Sequence, residues 1–132
     1  MENDSSSLPI VLVDDEVALL RAMEMSLFLA GLGPIKTISD SRNVMPFLAE
    51  NGARIVILDI EMPFIQGTEI LNKIVKDFPN IPVVILSAIT DSETVGQCIK
   101  KGAVNFLIKP LERDELVEVI KNVIDQPLEQ SS

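Results

Sequence analysis

The chain has 132 residues, enough for one domain that buries its own hydrophobic core without disulfides or metal ions. Acidic residues outnumber basic ones 20 to 11, and the formal charge of −9 would repel nucleic-acid phosphates, so DNA binding by this chain is not expected. The sequence contains no His, which excludes a histidine base, metal ligand or phosphoryl acceptor within it. The single cysteine, Cys98, excludes an internal disulfide and fits a reducing compartment.

The two ends of the chain are polar. The N-terminal residues are acidic rather than basic, and no apolar run reaches the length of a membrane span, so we expect a cytoplasmic protein that does not interact with a membrane. The expected organisation is a disordered tail over residues 1–8, one folded domain over residues 9–125, and a tail or the start of a linker over residues 126–132.

Strand-like and helix-like patterns alternate along the chain. Strands are predicted at residues 10–13, 35–38, 55–58, 83–86 and 104–108. All but the second are unbroken apolar runs, which are typical of strands covered on both faces. Helices are predicted at residues 16–30, 42–50, 67–77, 91–101 and 113–125.

Local signals support the predicted helices. The first carries Val17, Leu20, Met23 and Leu27 on one side, and the fifth has apolar residues at helical spacing. Pro46 is compatible with the second helix if that helix starts at Asn43, since proline is tolerated in a first turn.

The alternation of strands and helices implies parallel pairing with right-handed crossovers. Five repeats are too few for a closed barrel, so the predicted fold is an α/β doubly wound sheet with the flavodoxin-like strand order 2-1-3-4-5. In that order a ligand site falls between the first and third strands.

Polar side chains follow four of the apolar runs. Asp14 and Asp15 follow the first, Asp59 the third, Ser87 the fourth and Lys109 the fifth. Parallel strands would bring these groups to one edge. Each residue alone is better explained as part of a turn, a helix cap or a solvated residue, but their joint occurrence at the strand ends favours a functional site.

Magnesium and phosphoryl transfer suit this combination of groups. Clustered carboxylates repel one another unless a cation joins them, and magnesium prefers oxygen ligands together with a phosphate. A carboxylate can act as the nucleophile that takes a phosphoryl group. Asp59, on the middle strand, is the favoured acceptor; the Lys109 ammonium and the Ser87 hydroxyl would then contact phosphoryl oxygens.

The sequence resembles the receiver domain of bacterial two-component response regulators from about Ile10 to Asp125. The matching segments are Val-Leu-Val-Asp14-Asp15-Glu16, Leu-Asp59-Ile-Glu-Met62-Pro63 with Gly67, Leu86-Ser87-Ala88, and Gly102-Ala103-Val-Asn-Phe106-Leu-Ile-Lys109-Pro110. Any one segment is a weak signal, but four in order at the family spacing are a strong one.

The resemblance implies a phosphorylation-operated switch. Asp59 would accept a phosphoryl group from a sensor histidine kinase or a histidine phosphotransfer protein. Asp15 and Asp59 would bind magnesium directly, Asp14 would act mostly through water, and the backbone carbonyl of Glu61 would be a further ligand. Lys109 would hold the phosphoryl group, and the bond between Lys109 and Pro110 is expected to be cis.

The resemblance also implies how the signal leaves the site. Ser87 would move toward the phosphoryl group and Phe106 would turn inward, which changes the face made by the fourth helix, fifth strand and fifth helix. An output domain, an effector protein or a second copy of the chain would read that face. Ile89, two residues after Ser87, offers attacking water no hydrogen bond, so we expect slow loss of the phosphoryl group.

Other functions fit the sequence less well. An aspartate-based phosphatase would also use such an edge and an acid at the position of Glu61, but the residues that follow, Met62 and Pro63, do not match that pattern and the chain has no room for a cap domain. An interaction module that does not depend on phosphorylation would have lost some key residues, and none is missing. A dinucleotide-binding domain would need glycines after the first strand, where this chain has acids.

Overall fold

A computed structural model describes residues 8–89 and 91–125. The predicted tails therefore lie outside the described residues, apart from Leu8. The described chain forms a parallel sheet whose strands are β1 (Ile10–Val13), β2 (Ile35–Ile38), β3 (Ile55–Asp59), β4 (Val83–Ser87) and β5 (Asn105–Ile108). The helices are α1 (Val17–Leu29), α2 (Val44–Asn51), α3 (Gly67–Asp77), α4 (Ser92–Lys100) and α5 (Arg113–Ile124).

The strand order is β2-β1-β3-β4-β5, which confirms the predicted doubly wound fold. The register pairs Val13 with Leu58 and Asp59 with Leu86, so β3 extends one residue past the end of β1. This offset places the carboxylate of Asp59 in the last position of a buried strand.

Alternate strand residues face two separate core layers. In β1, Val11 and Val13 belong to the layer beneath α2, α3 and α4, whereas Ile10 and Leu12 belong to the layer beneath α1 and α5. Because both faces of the three central strands are covered, nearly all of their residues are buried, as the unbroken apolar runs predict.

Two details of the predicted packing are wrong. β5 starts at Asn105 rather than residue 104, and it is an edge strand in which Asn105 and Ile108 are exposed, so it is not covered on both faces. Val17 is also exposed at the start of α1, while Leu20, Met23 and Leu27 are buried as predicted.

The ends of α2 and α4 follow from local chemistry. A 3-10 turn at Ser41–Asn43 precedes α2, so α2 begins at Val44 and Pro46 lies in its first turn. The Asp91 side chain accepts a hydrogen bond from the Thr94 amide at the start of α4, with a distance of 2.8 Å. None of the helices in the described ranges is long and apolar enough to cross a membrane.

Candidate functional site

The carboxyl ends of four strands place the predicted site residues at one edge of the sheet. Asp14 directly follows β1, Asp59 ends β3, Ser87 ends β4 and Lys109 directly follows β5. The parallel register that pairs Ser87 with Ile108 explains why residues far apart in sequence meet at this edge. The structure thus brings Asp14, Asp59 and Lys109 together and places Ser87 at the same edge of the sheet.

Asp14 and Asp59 form an acidic cluster with Asp15, a third residue that the sequence predicted for the site. One carboxylate oxygen from each of Asp14, Asp15 and Asp59 lies within 4.8 Å of the other two. Asp14 and Asp59 are buried, whereas Asp15 is exposed to solvent. The cluster is therefore open to solvent on one side and enclosed on the other.

Each buried carboxylate has one oxygen held by the backbone. Asp14 Oδ1 accepts a hydrogen bond from the amide of Glu16 at 2.8 Å, and Asp59 Oδ1 accepts one from the amide of Glu61 at 3.1 Å. The second oxygen of each, Oδ2, is buried and receives no hydrogen bond from any described residue. Two fixed carboxylates thus present unsatisfied oxygens at the same place, where a cation would satisfy them.

Lys109 supplies a positive charge beside these oxygens. Its Nζ lies 3.0 Å from Asp14 Oδ2, 3.5 Å from Asp59 Oδ2 and 3.4 Å from Glu16 Oε1. The contacts to Asp14 and Asp59 are ion pairs in which one ammonium is shared between two carboxylates. The peptide bond from Lys109 to Pro110 is cis, as the resemblance implied; a second cis bond, from Gly33 to Pro34, was not predicted.

The electrostatic balance of the site favours proton uptake at Asp59. Burial raises the pKa of Asp59 to about 6; the Glu61 amide and the Lys109 ammonium lower this pKa, and the carboxylates of Asp14 and Glu61 raise it. At Lys109, burial lowers the pKa, but contact with Asp14 and the charges of Asp59 and Glu16 outweigh that effect, so the pKa is raised. Lys109 is therefore a permanent cation at neutral pH.

Ser87 has a different environment. Its hydroxyl, which is buried, donates a short hydrogen bond to Glu61 Oε2 and accepts one from the Ile89 amide at 2.9 Å. Glu61 Oε1 also accepts a hydrogen bond from the Ala88 amide at 3.3 Å. The Glu61 carboxylate thus uses both of its oxygens to contact the end of β4, an arrangement that the sequence did not predict.

The two remaining predicted residues lie beside this region. Phe106 is half-buried and packs against the core layer beneath α2, α3 and α4. Ile89 is 40% exposed and lines a groove next to Glu61.

Ser41 is a structural element of the site that sequence reasoning missed. Its buried hydroxyl donates to the Pro63 carbonyl at 2.8 Å and accepts from the Ile65 amide at 3.1 Å, so it holds the loop that follows β3. The Arg42 guanidinium lies 3.8 Å from the centre of the Phe64 ring in the same loop. No local sequence signal predicts this, because the partners are more than 20 residues away.

Gly67 explains how α3 approaches the site so closely. A Cβ atom at this position would lie 2.4 Å from both the backbone oxygen of Asp59 and the Cα of Ile60, so only glycine fits. The Gly67 amide donates to the Ile60 carbonyl at 3.2 Å. The start of α3 therefore fixes the backbone on which Asp59 is carried.

An open α/β sheet with this acidic cluster at its switch point is typical of phosphoacceptor signalling domains, and comparison with known proteins agrees. The family model of the response regulator receiver domain matches residues 10–121. The chain belongs to this family.

Relatives and solved structures support the same assignment. The chain is 32% identical over 114 residues to the C4-dicarboxylate transport transcriptional regulatory protein DctD of Rhizobium meliloti, an alignment that covers 86% of this chain and 25% of that protein. It is 30% identical over 118 residues to the DNA-binding transcriptional regulator NtrC of Escherichia coli. That alignment covers 89% of this chain and 25% of NtrC. The chain thus spans about a quarter of the curated relatives that it matches.

The fold matches solved receiver domains over nearly their whole length. The receiver domain of NtrX from Brucella abortus superimposes with a TM-score of 0.83 at 29% identity, covering 89% of this chain and 99% of that one. The BeF3-activated DrrB receiver domain superimposes with a TM-score of 0.82 at 26% identity, covering 90% and 98%.

Proposed function

We propose that this receiver domain is a switch operated by phosphorylation of Asp59. The observation that carries the proposal is the environment of the Asp59 carboxylate, which is buried at the end of β3 with one oxygen held by the backbone and the other directed at Lys109 and Asp14. A nucleophile held in this way is already oriented, and the adjacent ammonium can stabilise the charge that develops during phosphoryl transfer. Membership of the receiver family supports the same assignment.

A magnesium ion is part of the proposal. The unsatisfied Oδ2 atoms of Asp14 and Asp59 and the exposed carboxylate of Asp15 are a donor set of hard oxygens, which fits magnesium. Asp15 and Asp59 would bind the ion directly, Asp14 through water, and the Glu61 backbone carbonyl would add a further ligand. When bound, the ion would neutralise charge on the phosphoryl oxygens.

The phosphoryl donor would be a phosphohistidine on a sensor histidine kinase or a histidine phosphotransfer protein. That histidine must belong to a partner, because this chain contains none. A carboxylate oxygen of Asp59 attacks phosphorus, the new O–P bond forms as the P–N bond breaks, and the released imidazole takes up a proton. Lys109 stays charged throughout and shifts its contact from Asp14 toward the phosphoryl group. The product on this chain is an aspartyl phosphate.

The phosphoryl group would then change the surface of the domain. Ser87 would turn toward the new oxygens, Phe106 would move into the space released, and the face made by α4, β5 and α5 would be altered. An output domain, an effector protein or a second copy of this chain would read that face, and the process would take place in the cytoplasm. Slow self-catalysed hydrolysis would reset the switch.

Intact-mass measurement after incubation with acetyl phosphate and magnesium tests the proposal. We expect the wild type to gain the mass of one phosphoryl group and Asp59→Asn to gain none. Asp77→Asn, which removes an exposed carboxylate from α3, is the matched control and should behave as the wild type does. A wild type that gains no phosphoryl group, or an Asp59→Asn variant that still gains one, would contradict the proposal.

A further inference from the structure

Two hydrogen-bond donors at the end of β4 and directly after it already have a partner. The Ser87 hydroxyl donates to Glu61 Oε2 and the Ala88 amide donates to Glu61 Oε1. β4 lies next to β3 with Leu86 paired to Asp59, so the Ser87 hydroxyl and the Ala88 amide are the donors that directly follow the position opposite Asp59. The Glu61 carboxylate thus takes a position that a tetrahedral anion on Asp59 would require.

The Glu61 carboxylate and a phosphoryl group on Asp59 cannot both accept hydrogen bonds from Ser87 and Ala88, because both are negatively charged. A carboxylate and a phosphoryl group are both anions, and placing them on the same hydroxyl and amide would bring like charges into contact. Glu61 also contributes to an excess of acid at the site, where Asp14, Asp15, Glu16 and Asp59 surround a single lysine among the described residues. The carboxylate must therefore leave Ser87 before an anion can bind there.

The structure provides a place for the displaced side chain. A groove of about 530 Å³ begins at Glu61 and runs between the loop after β3 and the helix α4. Four polar residues line it and could solvate the carboxylate; they are Gln66, Thr68, Thr94 and Gln97. Glu61 is exposed, so its side chain can turn without opening the core.

We propose that the Glu61 side chain is an internal competitor that holds Ser87 and Ala88 in the unphosphorylated state and must be displaced when an anion binds at Asp59. This inference rests on the proposed function. It concerns the carboxylate of Glu61, whereas the expected magnesium ligand is the backbone carbonyl of the same residue, which a substitution retains. Only a group that displaces the Glu61 carboxylate can then release the Ser87 hydroxyl. The contact between Glu61 and Ser87 would therefore keep the unphosphorylated domain inactive.

The affinity for beryllofluoride in the presence of magnesium measures this competition, because beryllofluoride mimics a phosphoryl group on Asp59 and is not hydrolysed. The variants are Glu61→Ala, which removes the competitor, and Glu61→Gln, which keeps its shape but removes its charge. Glu50→Gln, an exposed position at the far end of α2, is the matched control for loss of one negative charge. Binding is followed by the Ala88 and Ile89 amide resonances, and thermal unfolding checks that each variant folds.

We expect beryllofluoride to bind roughly tenfold more tightly to Glu61→Ala than to the wild type, which corresponds to the loss of one hydrogen bond to a charged group. Glu61→Gln should show a smaller gain and Glu50→Gln none. Without beryllofluoride, Glu61→Ala should already show faster hydrogen exchange at the Ala88 amide. A wild type that binds beryllofluoride at least as tightly as Glu61→Ala overturns the inference alone. If the folded wild type and Glu61→Ala both fail to bind, the proposed function is overturned and the inference with it.

Discussion

The two halves of the site differ in how well their polar groups are satisfied. In the acidic half, made of Asp14, Asp15, Asp59 and Lys109, two buried carboxylate oxygens receive no hydrogen bond from the described residues. In the Ser87 half, made of Ser87, Ala88 and Glu61, the hydroxyl and the amide both donate to a carboxylate. Both halves lie at the same sheet edge and are joined by the backbone from Asp59 to Glu61.

This difference indicates that the acidic half lowers the stability of the folded chain when no metal is bound. It also indicates that the Ser87 half resists rearrangement of its hydrogen bonds. Buried carboxylates that repel one another destabilise the folded chain, and Lys109 offsets only part of that cost, because the pKa of Asp59 is still raised beside it. A satisfied hydroxyl, in contrast, needs a competitor before it moves. The acidic half is therefore arranged to bind, and the Ser87 half is arranged to delay the response until binding is complete.

Gly67→Ala should disturb both halves and has the largest expected effect. The new Cβ would collide with the backbone of Asp59 and Ile60, which cannot yield without moving both halves, so we expect a loss of about 3 kcal/mol in unfolding free energy. Chemical denaturation measures it. Gly96→Ala, in open space within α4, is the control and should stabilise the protein slightly. Equal stabilities for the two variants would mean that the close approach of α3 is not required.

Asp59→Asn should stabilise the metal-free protein, because it removes the cost of the acidic half. The pKa of Asp59 is raised from 3.8 to about 6 in the folded chain, so the folded state binds the proton more tightly and stability is lost as pH rises through this range. At pH 7, above this pKa, nearly the whole cost is present, and we expect Asp59→Asn to gain on the order of 2 kcal/mol in unfolding free energy.

Thermal unfolding in a chelator measures the effect of Asp59→Asn, which should shrink toward pH 4 and when magnesium is added. Asp77→Asn controls for the loss of a carboxylate from the surface. A variant less stable than the wild type at pH 7 without magnesium would show that Lys109 already compensates the buried charge.

Asp15→Asn should affect the acidic half alone. The side chain is exposed, so folding should be little changed, but the expected loss of a direct ligand should weaken magnesium binding by roughly tenfold or more. Titration of magnesium into the variant, followed by amide resonances, gives the affinity, and the Ala88 resonance of the metal-free variant should match that of the wild type. An unchanged affinity would place the ion elsewhere.

Ile89→Asn should have the smallest effect on the domain and concerns only the Ser87 half. The side chain is 40% exposed, so its loss should barely change stability, but a polar group would offer attacking water a hydrogen bond and shorten the phosphoryl lifetime several-fold. Intact mass followed over time after removal of the phosphate donor measures the lifetime. Ile99→Asn, at a position in α4 that is 45% exposed, is the matched control. A lifetime that stays the same would contradict the expected role of Ile89.

The sequence predicted the fold well because the central strands are buried on both faces. Apolar runs such as Ile55–Leu58 carry that information directly, and their order along the chain leaves few possible topologies. The prediction failed for β5, whose apolar residues resemble those of a central strand although it lies at the edge. The predicted strand order already placed this strand at the edge, and its apolar run alone does not show whether both of its faces are covered.

The acidic half of the site was also predictable, whereas the Ser87 half was not. Asp14, Asp59 and Lys109 are fixed by their places at strand ends, so topology alone brings them together. The contact of Glu61 with Ser87 depends on a side-chain rotamer across a gap of 26 residues. Ser41 is equally invisible in the sequence, because a serine before a helix usually caps that helix rather than a distant loop.

The contacts of Lys109 have a consequence for how the protein is made. Lys109 and Glu16 are 93 positions apart, and the same ammonium reaches Asp14, so this cluster joins the first strand to the last. A nascent chain on the ribosome that has exposed Asp59 but not Lys109 holds its acids without their cation. During synthesis the ability to accept a signal would therefore arise late, once the fifth strand has emerged and docked.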